Sequence, residues 1–120
     1  MRGITGRVVG FELSSQEPEK AAEFYSKVFG WEVGKERWKY WSVSTNKEDK
    51  VGIDGGISKG PHDFPHGTRI QIEVESMDEA LEEAEKNGAM IVREKMEFDE
   101  FYLAYLVDPT GIGIGLIQQK

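Results

Sequence analysis

The 120-residue chain contains no cysteine, which excludes disulfide bonds, thiolate metal sites and cysteine nucleophiles. It also has no apolar run long enough to cross a bilayer, and its first residues, MRGITGRVVGFEL, lack the pattern of a signal peptide. Basic residues are the minority among its charges, and the formal net charge of -7 argues against nucleic acid and anionic membrane surfaces as partners. We therefore expect a cytoplasmic protein that binds neither nucleic acid nor membrane.

What the chain does contain is an internal repeat. In the first half, the alternating strand RVVGFELSS precedes an amphipathic helical segment and three further strand-like segments. In the second half, the alternating strand TRIQIEVES precedes a second helical segment, and three strand-like segments follow again. The pattern predicts a single domain of two modules, at about residues 5–58 and 68–119, joined by a linker at 59–67 that is rich in proline and glycine.

Each helical segment carries its own start and stop signals. Pro18 suits the first turn of the first helix, which Gly30 ends. Ser76 has the capping-box spacing to Glu79 at the start of the second helix, which Gly88 ends. The apolar residues at helical spacing predict which side of each helix is buried: Ala21, Phe24, Tyr25 and Val28 in the first helix, and Met77, Ala80, Leu81 and Ala84 in the second.

The last strand-like segment, GIGIGLIQQ at 111–119, is unusual because glycine fills the positions opposite its apolar side chains. Glycine weakens a strand interior, and a common reason to keep it is that another group must approach the backbone closely. We interpret these glycines as widening a site in which a small molecule lies against the backbone. Strand alternation leaves them together on one face: Gly111, Gly113 and Gly115.

The doubled order, with FYSKVFGWEV after the first helix and DPTGIGIGL at the end, resembles the vicinal oxygen chelate superfamily. That group includes glyoxalase I, extradiol dioxygenases, methylmalonyl-CoA epimerase and bleomycin resistance proteins. The likeness is greatest to its small glyoxalase-like members and covers essentially the whole chain. It implies an α+β fold in which two βαβββ modules form a curled mixed sheet around a cleft, on the face away from the helices. Since members of the superfamily often dimerise, we also expect a homodimer.

The resemblance further indicates which positions carry metal ligands in related enzymes. The histidine of the first strand falls on Gly10, the ligand that opens the second module falls on Arg69, and the ligand of the closing strand falls on Gly115. The fourth ligand falls near Gly55 or Gly56. Glycine supplies no ligand and a guanidinium repels a divalent ion. We therefore predict that the usual metal site is absent, so that metal-dependent glyoxalase or dioxygenase activity is not expected and no cofactor is required.

A set of polar, aromatic and glycine residues is predicted to line the cleft and bind the ligand. Arg69 is expected beside Glu12 and Glu73, either as a structural ion pair or to bind a carboxylate or phosphate of the ligand. Either carboxylate could act as a general base if burial raised its pKa. Aromatic side chains could stack on a planar ligand, and about half of them are expected in the core. The full set is Gly10, Glu12, Trp38, Tyr40, Arg69, Gln71, Glu73, Tyr102, Gly113 and Gly115.

Three functions remain open. The favoured one is a protein that binds a small acidic or aromatic molecule without the metal of the family. The alternative is an enzyme of the lyase, isomerase or dioxygenase type, either metal-independent or with a relocated metal site at Glu12, Glu73 or the linker histidines. His62 and His66 are separated by Pro65, which disfavours a helical pair of ligands, so a loop at the cleft rim is preferred over a metal site. The third is a scaffold or regulatory subunit with a vestigial cleft.

Overall fold

The computed structural model describes residues 5–60 and 67–120, and the predicted order of elements occurs twice in them. The first half contains β1 (Gly6–Ser15), α1 (Pro18–Phe29), β2 (Glu32–Val33), β3 (Tyr40–Ser44) and β4 (Gly55–Lys59). The second half contains β5 (Thr68–Val74), α2 (Met77–Lys86), β6 (Met90–Glu97), β7 (Phe101–Val107) and β8 (Gly113–Gln119). Neither helix in this part of the chain is long and apolar enough to span a membrane.

The strands form one open, mixed sheet of eight strands in the order β2-β3-β4-β1-β5-β8-β7-β6. From the centre outwards, both halves therefore repeat the same sequence of first, fourth, third and second strand. The pairs β1–β4 and β5–β8 are parallel, whereas β1 and β5 pair antiparallel at the centre. The predicted α+β class with a curled mixed sheet is confirmed, and the two modules meet along the β1–β5 seam.

Both helices pack on the same face of this sheet, which we call the helix face; the opposite side is the inner face. Phe11 and Leu13 of β1 pack on the α1 core, as strand alternation predicts. Their neighbours therefore project from the inner face. The buried core under α1 consists of Ala22, Val43 and Ile57, and the buried core under α2 consists of Val74, Met77, Ala80, Leu81, Ala104, Leu106 and Leu116.

The local signals at the helix ends act as predicted. The Ser76 hydroxyl accepts a hydrogen bond from the Glu79 amide, at 3.3 Å, and so caps α2. Gly30 adopts a left-handed φ of 73° after α1, and its amide donates to the Ser26 carbonyl at 2.9 Å. The start of α1 differs, because Glu17 at its N-cap makes no side-chain capping bond.

The predicted buried side of α1 is wrong for two of its four residues. Phe24 and Val28 are 52% and 56% exposed, whereas Pro18 and Ala22 are the buried residues of the helix. Small Ala22 lets the helix approach the sheet closely. The larger side chains of Phe24 and Val28 consequently point away from the sheet. Of the two predicted aromatic residues of the helix, Tyr25 is the one that packs on the core.

The turn before β8 also differs from the prediction, because the strand begins at Gly113. Gly111 lies in a turn with a left-handed φ of 100°, a conformation that favours glycine. The Asp108 carboxylate organises this turn by accepting hydrogen bonds from the amides of Thr110 and Ile112. Gly111 is therefore a turn residue, and only Gly113 and Gly115 belong to the predicted row on the strand.

Candidate functional site

A buried ion pair lies on the inner face at the seam between the modules. Glu12 of β1 and Arg69 of β5 are cross-strand partners, and they are only 8% and 4% exposed. The Nη2 atom of Arg69 is 3.7 Å from Oε1 of Glu12, which is longer than the distance of about 2.7–2.9 Å that is usual for a charge-assisted hydrogen bond. Burying two charges is costly, so a pair this deep needs further polar neighbours.

Two tyrosines supply those neighbours, one on each side of the pair. The Tyr40 hydroxyl of β3 donates a hydrogen bond to Oε2 of Glu12 at 3.4 Å. On the other side, the Arg69 guanidinium carbon lies 4.1 Å from the centroid of the Tyr105 ring of β7, in cation–π geometry. We call Tyr40, Glu12, Arg69 and Tyr105 the inner-face cluster; its members come from four different strands.

Burial changes the acidity of this cluster. It raises the pKa of Glu12, and this effect is larger than the opposing effects of the Arg69 charge and the Tyr40 hydrogen bond. Burial and the neighbouring Glu12 carboxylate likewise raise the pKa of Tyr40 above its usual value. Tyr40 therefore stays a hydrogen-bond donor at neutral pH, and Glu12 takes up a proton more readily than an exposed glutamate does.

The glycines of the inner face make room for the cluster itself. A Cβ atom at Gly56 would overlap the Tyr40 ring, and one at Gly115 would lie 3.3 Å from Nε of Arg69 and 3.6 Å from the Tyr105 ring. At Gly56 and Gly115, therefore, side chains of the chain itself approach the backbone, and the interpretation that a ligand lies against the glycines stays a prediction.

Three further predicted residues lie next to the cluster. Gln71 pairs with Gly10 on one side and with Gly115 on the other. A Cβ atom at Gly10 would lie 3.3 Å from Oε1 of Gln71. Gly113 is buried two residues before Gly115 on the same side of β8. The inner face therefore brings together Gly10, Gln71, Gly113 and Gly115 around the buried charges.

Glu73 does not join the cluster, and the expected grouping of two carboxylates around Arg69 is wrong in this respect. Glu73 pairs with Arg7 at 2.8 Å, farther along the seam. The two residues line a groove of about 600 Å³ that also includes Gln119. This groove adjoins the end of the seam. Among the described residues, Glu12 is the carboxylate that lies beside the Arg69 guanidinium.

Two aromatic residues of the predicted set lie elsewhere. Trp38 is 88% exposed and sits in the turn before β3, with a left-handed φ of 54°. Tyr102 packs against the α2 core on the helix face, because Ala104 and Leu106 of the same strand are buried there and alternate residues share a face. Both placements correct the sequence prediction.

Tyr105 is the cluster member that the predicted set omits. It pairs with Gly115 across β7 and β8, and it lies on the face opposite Ala104 and Leu106. A signal was present in the sequence, since small Ala104 between bulky neighbours marks a tightly packed helix-face position. Choosing that face for Ala104 would have placed Tyr105, rather than Tyr102, on the inner face.

The residues at the positions assigned to metal ligands do not fit a divalent ion. Gly10 and Gly115 offer no side-chain donor, and the Arg69 guanidinium lies beside Gly115 and is paired with Glu12. Within residues 5–60 and 67–120 there is no group of three or more His, Cys, Asp and Glu side chains that could hold a metal ion. His62 and His66 lie outside the described residues. We derive no step through a metal.

The chain belongs to the family described as Glyoxalase-like domain, which matches residues 10–117. Because this match spans nearly the whole fold, the resemblance to the vicinal oxygen chelate superfamily is confirmed. A search of curated proteins gave no significant match.

Solved structures show the same fold at low sequence identity. A glyoxalase/bleomycin resistance protein/dioxygenase superfamily member from Vibrio splendidus 12B01 has a TM-score of 0.65 and 16% identity, covering 98% of this chain and 100% of its own. A protein described as NAD-dependent benzaldehyde dehydrogenase from Legionella pneumophila has a TM-score of 0.66 and 18% identity, with 92% and 97% covered. Homoprotocatechuate 2,3-dioxygenase from Arthrobacter globiformis has a TM-score of 0.67 and 20% identity, but the match spans only 36% of that chain.

Proposed function

We propose that this glyoxalase-like protein binds a small organic acid, preferably an aromatic one, on the inner face and without a metal ion. The observation that carries the proposal is the buried guanidinium of Arg69, held between Glu12 and the Tyr105 ring. Arginine is always charged in proteins and binds carboxylates through a planar fork of donors. A fixed positive charge on the inner face is suited to an anionic ligand.

The surroundings of Arg69 favour recognition over a purely structural ion pair. The guanidinium rests against Tyr105, which fixes its plane before any ligand arrives. Its Nη2 atom lies 3.7 Å from Oε1 of Glu12, so the contact with this carboxylate is looser than a short bidentate pair. A guanidinium whose plane is fixed in advance loses little conformational freedom when it binds a ligand.

The tyrosines favour a planar, aromatic acid. Tyr40 and Tyr105 stand on opposite sides of the buried pair, and aromatic rings at such positions can stack with or contact the edges of a ring. Both are partly exposed, so they can be reached from solvent. An acid group directed at Arg69 would then carry its ring between the two tyrosines.

Glu12 is an internal competitor for the same guanidinium. A ligand carboxylate must displace or approach the Glu12 carboxylate, and two like charges repel in a buried site. Because burial raises the pKa of Glu12, acidification should protonate it and relieve this repulsion. We therefore expect affinity for a carboxylate such as benzoate to increase as the pH falls through the pKa of Glu12, provided that the pH stays above the pKa of the ligand.

The proposal is tested by titrating chelator-treated protein with benzoate in a calorimeter. The wild-type chain should bind one benzoate per chain, and Glu12→Gln should bind more tightly at neutral pH. The double variant Arg69→Met/Glu12→Gln, which leaves no unpaired charge, should bind about tenfold more weakly or not at all. Arg7→Met is the matched control, because it removes an arginine from an exposed ion pair on the same face.

Two outcomes would contradict metal-free binding of acids. One is the absence of any benzoate or phenylpyruvate binding until a divalent ion is added. The other is equal loss of binding in the Arg7 and Arg69 variants, which would assign the effect to overall charge instead of the cluster.

Proton transfer by Glu12 is a second candidate function, favoured by its raised pKa and its position beside the Tyr40 donor. A base of this kind could remove the acidic C–H proton of a bound keto acid, while Arg69 holds the carboxylate. Phenylpyruvate in deuterated water is a direct probe, because proton loss appears as deuterium exchange by NMR. Glu12→Gln should abolish protein-dependent exchange while binding persists; exchange that is unchanged in this variant would remove the candidate.

The cytoplasmic location expected from the composition remains a prediction. It rests on the lack of cysteine, and a localisation experiment on the whole natural protein would test it.

A further inference from the structure

The inner face of the sheet is polar in the first module. Ser42 and Ser44 of β3 project from it, because Val43 between them is buried in the α1 core. Ser58 of β4 lies on the same face, and its hydroxyl is 3.4 Å from the hydroxyl of Ser14 on β1. Hydroxyl groups therefore line this side of the buried ion pair.

The inner face of the second module is apolar. Since Ala104 is buried under α2, its neighbour Leu103 projects from the inner face. Leu103 is opposed by Ile117 of β8 and by Met96 of β6, and directly opposed residues share a face. Phe101 lies two residues before Leu103 on the same side of β7. We call these four residues, all half-buried, the apolar strip: Met96, Phe101, Leu103 and Ile117.

The internal repeat shows that the fold does not require this apolar surface. Gly56 of β4 pairs with the first strand of its module, and Ser58 follows two residues later. Gly115 of β8 pairs with the first strand of the second module in the same way, and Ile117 follows two residues later. The same position of the fold thus holds a serine in one module and an isoleucine in the other. Half-buried apolar side chains in a row at such positions point to a ligand or partner.

The apolar strip is continuous with the buried cation. Tyr105, whose ring lies 4.1 Å from the Arg69 guanidinium carbon, follows Leu103 by two residues on the same face. Positions on one face of a strand repeat at about 7 Å, so the strip extends from about 7 to about 14 Å beyond Tyr105 along β7. Its far end is open, because Phe101 is opposed by the exposed Gln119, which lines the groove at the end of the seam.

We propose that the ligand is a carboxylic acid with an extended apolar tail, such as an alkyl-substituted aromatic acid, and that its tail lies along the apolar strip. This inference rests on the proposed function, since Arg69 must bind the acid group. A charged head and an apolar tail match the order of Arg69, Tyr105 and the strip along the inner face. The opposite direction is disfavoured, because a tail over the serines would remove their hydroxyl groups from water without replacing the lost hydrogen bonds.

The test is calorimetric titration of the whole chain with benzoate and its para-ethyl, para-butyl and para-hexyl derivatives. In the wild type, affinity should rise about three- to fourfold for each methylene that is buried on the strip, and the gain should level off once the tail passes Phe101. The quantity compared is the ratio of the para-butylbenzoate and benzoate affinities within each variant. This ratio cancels any change at Arg69 that affects both ligands.

The variant Leu103→Thr/Ile117→Thr should lose most of this ratio, because hydroxyl groups replace apolar surface on the strip. Ile112→Thr is the matched control, since Ile112 is 53% exposed in the turn before β8, and it should keep the wild-type ratio. Binding of benzoate without a gain from the tail, or a gain that persists in the double variant, would overturn the inference and leave the proposed function standing. Failure of every acid in the series to bind would overturn both.

A second measurement uses the wild type and so does not depend on the folding of a variant. In the complex with para-butylbenzoate, NMR should show nuclear Overhauser contacts between the butyl protons and the methyl groups of Leu103 and Ile117. Contacts of the butyl group with Ser42 and Ser58, or with residues of the helix face, would contradict the assignment of the tail to the apolar strip.

Discussion

The two modules share an order of elements but differ in how well they are packed. In the second module, α2 buries Met77, Ala80 and Leu81 in a core of seven buried residues. In the first, α1 contributes Ala22 to a core of three. A repeated topology therefore does not ensure repeated packing. The less packed module is the one whose helix leaves large apolar side chains exposed.

The β1–β5 seam joins the two modules, and residues of both modules form the candidate site. Tyr40 and Glu12 come from the first module, whereas Arg69 and Tyr105 come from the second. Each charge of the buried ion pair consequently relies on the other module for its partner. Variants in the seam and in the two cores can separate these contributions.

The largest effect is expected at the seam. Arg69→Met leaves Glu12 buried without its cation, and should lower the free energy of unfolding at pH 7 by about 3–5 kcal/mol, measured by urea denaturation. The double variant Arg69→Met/Glu12→Gln should recover much of this loss. A double variant as unstable as the single one would show that the arginine acts through packing rather than through its charge.

The next largest effect on stability is expected in the core of the second module, and a substitution on α1 of the first module provides the comparison. Met77 is fully buried under α2, so Met77→Ala should cost about 2–5 kcal/mol of unfolding free energy. Phe24→Ala on α1, at a 52% exposed position, should change the free energy of unfolding by only about 0.5 kcal/mol. Met90→Ala, at a 66% exposed position, is the control for loss of a methionine. Equal costs for Met77 and Phe24 would contradict the contrast between the modules.

A smaller effect is expected at the helix starts. Ser76→Ala removes the capping bond of α2 and should cost about 1 kcal/mol. Since Glu17 makes no such bond at the start of α1, Glu17→Ser should instead stabilise the chain, by about 0.5 kcal/mol. Thermal unfolding of the two variants tests whether Ser76→Ala lowers the stability and Glu17→Ser raises it. A loss of stability in Glu17→Ser would indicate that the N-cap geometry of α1 cannot accept a side-chain bond.

The smallest effect is a pH dependence carried by Glu12. Its pKa in the folded chain is raised above the ordinary value of 4.5, so the folded state binds more protons than the unfolded state in the window above that value. The contribution of Glu12 to stability is therefore fully present below pH 4.5 and is lost as the pH rises through the folded pKa. The free energy of unfolding is measured against pH for the wild type and for Glu12→Gln. The difference between the two curves isolates the contribution of Glu12. A difference that grows with pH would reverse the sign and contradict the burial argument.

Local patterns in the sequence account for much of the fold. The alternation in β1 correctly places Phe11 and Leu13 under a helix, and the signals at Ser76 and Gly30 correctly mark helix ends. These predictions succeed because each depends on residues within a few positions of one another.

The candidate site was predicted less completely, because it depends on contacts between distant strands. Strand alternation identifies Glu12 and Arg69 as inner-face residues, but it does not show that Tyr40 covers Gly56 or that Tyr105 and Arg69 fill the space beside Gly115. Those contacts arise from the pairing of β3 with β4 and of β7 with β8. A glycine shows that something approaches the backbone, and only the register shows which group it is.

The proposed function requires Arg69 to bind a small acid without help from a metal ion. Its most direct test follows the Nε–H signal of Arg69 by NMR while benzoate is added to protein stripped of metals by chelation. The signal should shift with saturation at one benzoate per chain, together with amide signals of β1, β5 and β8. An Arg69 signal that stays unmoved while benzoate binds elsewhere, or that moves only after a divalent ion is supplied, would contradict the claim.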